Sequence, residues 1–412
     1  MKVVIAGSGI GGLATALWLH HRGIDCQVYE QSDEVRELGV GINALPHAMK
    51  ELAALGLLER VADAGVQTRE LIYTHRLGHE ILRKPCGRAA GFALPQVSLH
   101  RGRLQSVLLR AVLERLGPDA VRTGHRLTGF DQDEHGVRAR FAGTAGAPRD
   151  TVRGDVLVAA DGLDSAARAI LLPHEGPPRW NGVMLWRGAT DWPEFGTGRS
   201  MIIAGGTAAK LVIYPIAAGA APGTKLTNWA LGVLVGTPGD PPPERQDWSR
   251  RVEHATVARH VGRFAPPMVD HSALIAATAE CLEFPMCDRD PLPYWSRGRV
   301  TLLGDAAHPM YPMGSNGAGQ AILDATSLSR HLAESGDPVK ALRAYEDERL
   351  PATSEVVLRS RAGGPEQVID EVERRAPQGF ERIEDVMSAA ELEAVVGGYA
   401  KVTGASQRQV NG

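Results

Sequence analysis

The first thirty or so residues constrain this chain most. Lys2-Val3-Val4-Ile5-Ala6 is an apolar, partly β-branched run that suits a strand buried in a parallel sheet. Gly7-Ser8-Gly9-Ile10-Gly11-Gly12 follows at once. A helix-like run from Leu13 to Leu19 comes next, then a second strand from Ile24 to Tyr29, closed by Glu30. Together they make a βαβ unit of about thirty residues, the minimum size for one. Gly7 allows the tight turn, Gly9 lets a pyrophosphate approach the backbone, and Gly12 lets the helix pack on the strand. The free N–H groups of the helix start, from Ser8 through Ile10 and Gly11, face that pyrophosphate with a partial positive charge. Glu30 accepts the ribose hydroxyls and would repel a 2′-phosphate, and Gln31 touches the same nucleoside. NAD and FAD share this fingerprint, so it alone picks neither.

The rest of the chain is too long for one core. At 412 residues it exceeds the roughly 250–300 at which single cores stop growing. Helices are expected over 46–55 and 103–116, a small antiparallel meander over 121–158, and a buried strand over 155–160. After Pro173 the pattern turns to strands and Gly/Pro turns over 183–235, then to helix over 244–275. A buried strand returns at 299–303, followed by helix over 317–361. Ser388-Ala389-Ala390-Glu391 has the form of a capping box. The fold class is therefore α/β. A Rossmann-like dinucleotide domain is built from 1–72, 98–180 and 283–361. A strand-rich substrate domain comprises 73–97 and 181–282, and 362–412 form a C-terminal helical segment.

Charge and cysteine usage exclude other classes. A net charge of −3 argues against a nucleic-acid partner. No apolar run reaches the ~18 residues of a membrane helix. The four cysteines fit no zinc spacing, so no metal site is expected, and they read as reduced cytoplasmic thiols.

Two later motifs each follow a buried strand. Asp161-Gly162 leads to Ser165 and Arg168 in a D-G-x-x-S-x-x-R spacing. Gly304-Asp305-Ala306-Ala307-His308-Pro309 places a carboxylate at the carboxyl end of a strand, where open α/β sheets bind ligands. It is suited to the hydroxyls of a ribityl chain. The loop from Pro312 to Ala321 is Gly-rich and opens a helix, so its N–H groups suit a ligand carbonyl that gains negative charge. Helix capping and a ligand-free loop are the bland alternatives for each motif taken alone.

Taken in this order, the three motifs resemble the class A flavin-dependent aromatic hydroxylases, which share the fold of para-hydroxybenzoate hydroxylase. Gly41-Ile42-Asn43, His100-Arg101-Gly102-Arg103-Leu104-Gln105, Met184-Leu185-Trp186-Arg187-Gly188 and the stretch from Pro285 to Pro293 look most like the phenazine-modifying monooxygenases among them. The resemblance runs to about residue 361 and implies tightly bound FAD. Residues 7–12 would hold its pyrophosphate, with Arg101 and Gln105 beside it. Glu30 would hold the ribose, Leu127 would lie near the adenine, and Asp305 would bind the ribityl chain. Gly41, Gly314, Gly317 and Ala318 would line the isoalloxazine. Asp161 and Arg168 belong to a motif that handles both FAD and the nicotinamide. With no second glycine fingerprint, NADH or NADPH would bind transiently.

The implied reaction is hydroxylation of a small aromatic or heteroaromatic substrate by O2 through a flavin C4a-hydroperoxide, in a monomer or homodimer. Decarboxylative hydroxylation, epoxidation, Baeyer–Villiger oxidation and a non-catalytic FAD carrier stay open. No acid/base pair is required. Pocket candidates are Tyr214, Trp186, Tyr311 and Pro312. Arg187 reads first as a structural ion pair and second as a carboxylate anchor. His308 reads as a structural hydrogen bonder, and His47 as a surface or supporting residue.

Overall fold

The computed structural model describes residues 1–37, 39–143, 146–149, 151–244, 247 and 249–411. Four sheets organise them. A six-stranded sheet has the order Ser296–Arg297, Val300–Leu302, Val156–Ala159, Lys2–Ala6, Asp25–Tyr29, Val121–Arg122. All its pairings are parallel except the first, at the edge. Val3, Val4 and Ile5 are wholly buried, as strands covered on both faces require. The helices Ile10–His21, Arg101–Leu116 and Gly317–Glu334 pack around this sheet and share its core. The meander is a separate three-stranded sheet of Arg126–Asp133, Gly136–Ala142 and Val152–Gly154.

An eight-stranded sheet holds the strand-rich part. Its centre is Arg179–Pro193, Thr224–Leu234 and Ala209–Ala218, paired antiparallel. Glu70–Thr74 and Glu80–Pro85 extend one edge, and Cys281–Asp288 lies on the other side. In strand pairing, this sheet thus begins at Glu70 and runs through Asp288. Gln96–His100 leaves it to pair with Gly41–Ala44 and Gly65–Thr68.

Two expected helical stretches are broken. Over 244–275 the chain gives the short strand Arg251–Val252 and the helices His254–Val261 and His271–Ala276. Pro266 and Pro267 lie between these helices and cannot continue either. Over 317–361, Gly317–Glu334 ends before Asp337, whose carboxylate caps the next helix, Pro338–Arg361. The capping box at Ser388 and Glu391 is formed and starts the helix Ala389–Val402.

Candidate active site

The glycine loop divides its labour. Gly7 sits at φ +101, and a Cβ there would lie 2.3 Å from the Ala160 carbonyl oxygen. A Cβ on Gly12 would lie 2.0 Å from the Gly7 carbonyl oxygen. Gly12 therefore serves the close packing of the helix on the first strand's end, and Gly7 lets that turn lie against the end of the neighbouring strand Val156–Ala159. Gly9 differs, because a Cβ there would meet nothing within 4 Å. It borders a cavity of about 340 Å³.

That cavity gathers the separate motifs. Gly9, Ile10 and Gly11 line it from the first loop, Gly41 and Arg101 from one side, and Gly162 from the second motif. Gly304, Asp305, Gly317 and Ala318 line it from the third. Asp305 is exposed to it, and its carboxylate makes no hydrogen bond to any described residue. The eight-stranded sheet roofs it through alternate residues: Val183, Leu185 and Arg187; Met201 and Ile203; Lys210, Val212 and Tyr214. Tyr311 and Pro312 also line it. A larger cleft of about 1080 Å³, bordered by the C-terminal helices, shares Val183, Met286, Tyr311 and Met313 with it.

Other expected residues support this wall from behind. Ser8 donates to Glu30 Oε2 from its N–H at 2.9 Å and from its hydroxyl at 2.8 Å. Gln105 Nε2 donates to the Ser8 carbonyl oxygen at 2.9 Å. Gln31 is exposed beyond the second strand. Asp161 accepts from the Ala166 N–H at 2.8 Å, at the start of the helix Ala166–Leu171, and its Oδ1 is buried without a partner. Burial pushes its carboxyl above the usual carboxylate value, against the pull of Ser165. Arg168 joins the second and third motifs by donating to the Ala306 and Ala307 carbonyls, both at 2.9 Å.

Some expectations need correction. Trp186 does not line the cavity. Alternation along its strand turns it to the opposite face, where it stacks on His260 and donates to Glu283 at 2.7 Å. Gly314 does not line it either, because the side of the loop that a Cβ would occupy is filled by Tyr399, 2.5 Å away. Leu127 has its side chain packed in the main hydrophobic core. His47 is no surface residue. It is 4% exposed with both ring nitrogens unpaired, and burial holds its pKa down at about 4.

The roof carries charge. Arg187 donates to the Gly41 carbonyl and lies against the Tyr214 hydroxyl; among the described residues it has no carboxylate partner. Burial pushes the Tyr214 phenol up, and Arg187 partly offsets it. Asn228 Oδ1 accepts from the Gly41 N–H at 2.8 Å. Lys210 and Glu366 form a buried ion pair beside Met313. Lys210 was legible in the sequence as the one charge in the run Leu211-Val212-Ile213-Tyr214 and its neighbours. Glu366 and Tyr399, far along the chain, had no local signal. His308 is held by Asp324 at 2.5 Å, a structural bond as expected.

The hollow fits a dinucleotide with a planar ring. Gly9 and Gly162 leave open space where side chains would stand, and buried acceptors on Asp161 and Asn316 lack partners. Residues 1–360 match the family model of the FAD binding domain. The chain belongs to this FAD-binding family. Within it, the chain is 44% identical over 364 residues to phenazine 1,6-dicarboxylic acid hydroxylase PhzS of Lysobacter antibioticus, covering 87% of this chain and 89% of that one. It is 33% identical over 366 residues to 3-hydroxybenzoate 6-hydroxylase 1 of Aquipseudomonas alcaligenes, covering 87% and 88%. The crystal structure of Klebsiella pneumoniae HpxO complexed with FAD and uric acid superposes with a TM-score of 0.74 at 27% identity, covering 100% of this chain and 97% of that one. The cofactor of this family member is FAD, and the chain is an FAD-dependent monooxygenase of the aromatic hydroxylase type. Among the described residues no helix is long and apolar enough to cross a membrane.

Proposed function

We propose that the chain hydroxylates a planar, carboxylated heteroaromatic molecule of the phenazine kind, with NADH or NADPH as transient reductant and O2 as oxidant. The relative at 44% identity supports this substrate class. When bound, FAD supplies the activation of O2 for insertion of one oxygen atom into the ring. The carrying observation is that Gly9, Asp305 and Gly317, from three motifs, line one cavity.

In this reading Gly9, Ile10 and Gly11 hold the pyrophosphate with the helix start, and Arg101 adds charge to it. Glu30 holds the ribose, already oriented by Ser8. Asp305 accepts the ribityl hydroxyls. The N–H groups at Gly317 and Ala318 face the ring edge that gains negative charge. Leu185, Met201, Ile203 and Val212 present an apolar ceiling that excludes water and suits a flat ring. Tyr214 and Arg187 offer the polar contacts that orient it. The substrate enters from the larger cleft past Tyr311 and Met313. The eight-stranded sheet is the substrate domain, the sheet of Lys2–Ala6 the FAD domain. Four buried free thiols support a cytoplasmic setting.

The test is a panel of aromatic and heteroaromatic acids, phenazine carboxylates included. NADH and NADPH consumption is followed together with product mass under labelled O2. Stimulated consumption and a product heavier by one labelled oxygen are expected. Consumption without oxygenated product from any member of the panel would refute the reading.

A further inference from the structure

The family match ends at residue 360, and the helix Ala389–Val402 lies wholly beyond it. Its Tyr399 is 5% exposed, buried under the Gly-rich loop. The Tyr399 hydroxyl donates to the Met313 carbonyl oxygen at 3.0 Å and accepts from Asn316 Nδ2 at 3.2 Å. Its ring fills the space beside Gly314. One residue thus supports the loop from below and ties it at two points.

The same network decides how the Asn316 amide is turned. A carbonyl only accepts, so the Tyr399 proton goes to Met313 and the Tyr399 oxygen is left to accept. The Gly314 carbonyl oxygen, 2.8 Å from the same amide nitrogen, also needs a donor. The nitrogen end of the amide therefore faces Tyr399 and Gly314, and Oδ1 faces away. Asn316 lines the cavity and is 1% exposed, and its Oδ1 is buried without a protein partner. A buried acceptor left unpaired is costly unless a ligand meets it. The ring N–H groups of a flavin are donors of the right kind.

We infer that Tyr399 is a positioning residue for the cofactor. Its hydroxyl holds the Gly-rich loop and turns Asn316 so that an acceptor is offered to a ring N–H of bound FAD. The inference rests on the reading of that loop as facing the flavin. A second brace keeps the loop attached when the hydroxyl is lost: the Gly314 N–H donates to Glu366 Oε1 at 3.1 Å.

Tyr399→Phe keeps the ring and removes only the hydroxyl. Two measurements test it on the full chain: amide hydrogen exchange across residues 311–320 in protein stripped of FAD, and titration of that protein with FAD, recording Kd and the flavin absorption spectrum. The expected result is faster exchange confined to that segment, a shifted spectrum, and FAD binding about threefold to tenfold weaker, the worth of one or two hydrogen bonds. Wild-type exchange overturns the inference. So does faster exchange with wild-type affinity and spectrum. If the unaltered chain takes up no FAD, the underlying reading fails instead.

Discussion

Arg168 Nη1 donates to the Ala307 carbonyl oxygen over 2.9 Å, joining residues 139 positions apart in the chain. The same nitrogen bonds Ala306, and Nε donates to Glu175 at 2.7 Å. This buried guanidinium fixes the loop carrying Asp305 to the loop carrying Asp161, so two motifs separate in sequence share one wall.

Replacing Arg168 by Met takes the side-chain donor from the Ala306, Ala307 and Asp290 carbonyls and leaves the half-buried Glu175 carboxylate with Arg289 alone. Breaking such a buried pair costs about 3–5 kcal/mol. Urea unfolding should show a loss of that order, and the purified variant should be short of FAD. A loss under about 1 kcal/mol would mean that the contact is incidental.

The glycines should respond differently. Gly9→Ala adds a methyl where nothing stands within 4 Å, so the apoprotein should melt like wild type while FAD binding weakens. Gly12→Ala drives a methyl to 2.0 Å from the Gly7 carbonyl oxygen and should lower the melting temperature sharply. Equal effects of the two changes would undo this division of roles.

His47 sets an acid limit. Its pKa falls from 6.5 in the open chain to about 4 when folded, because burial and then Arg349 disfavour the cation. The unfolded chain therefore binds this proton first as pH drops. Stability is full above pH 6.5 and declines between about 6.5 and 4, by up to about 1.4 kcal/mol per pH unit. His47→Gln should flatten the dependence of melting temperature on pH in that window. An unchanged slope would remove His47 as its source.

Two aromatic residues test the roof. Tyr214→Phe keeps the ring but removes the hydroxyl beside Arg187, and should lower kcat/KM by about tenfold with FAD content unchanged. Trp186→Phe lies on the far face, so it should leave kcat/KM near wild type and cost about 1 kcal/mol through the lost bond to Glu283. The reverse pattern would mean that Trp186, and not Tyr214, faces the substrate.

That last pair shows where sequence reasoning stops. The glycine fingerprint and the buried strands were legible because they depend on neighbours within about thirty residues. The side of the sheet that Trp186 faces was also encoded, since it cannot share a face with Arg187, but period-2 alternation had to be applied to see it. Gly314 was different. Its open side is filled by a tyrosine 85 positions later, and no local pattern announces that contact. Glu366 meeting Lys210 is of the same kind.

The central claim is that three separated loops hold one FAD, and Asp305 tests it most directly. Its carboxylate faces the cavity and bonds to no described residue, so Asp305→Ala should leave the folded chain intact. Flavin content per chain, read from the absorption of the purified protein alongside its melting curve, is the measurement. A colourless protein with a wild-type apoprotein melt is the predicted result. A fully yellow Asp305→Ala protein would contradict the account.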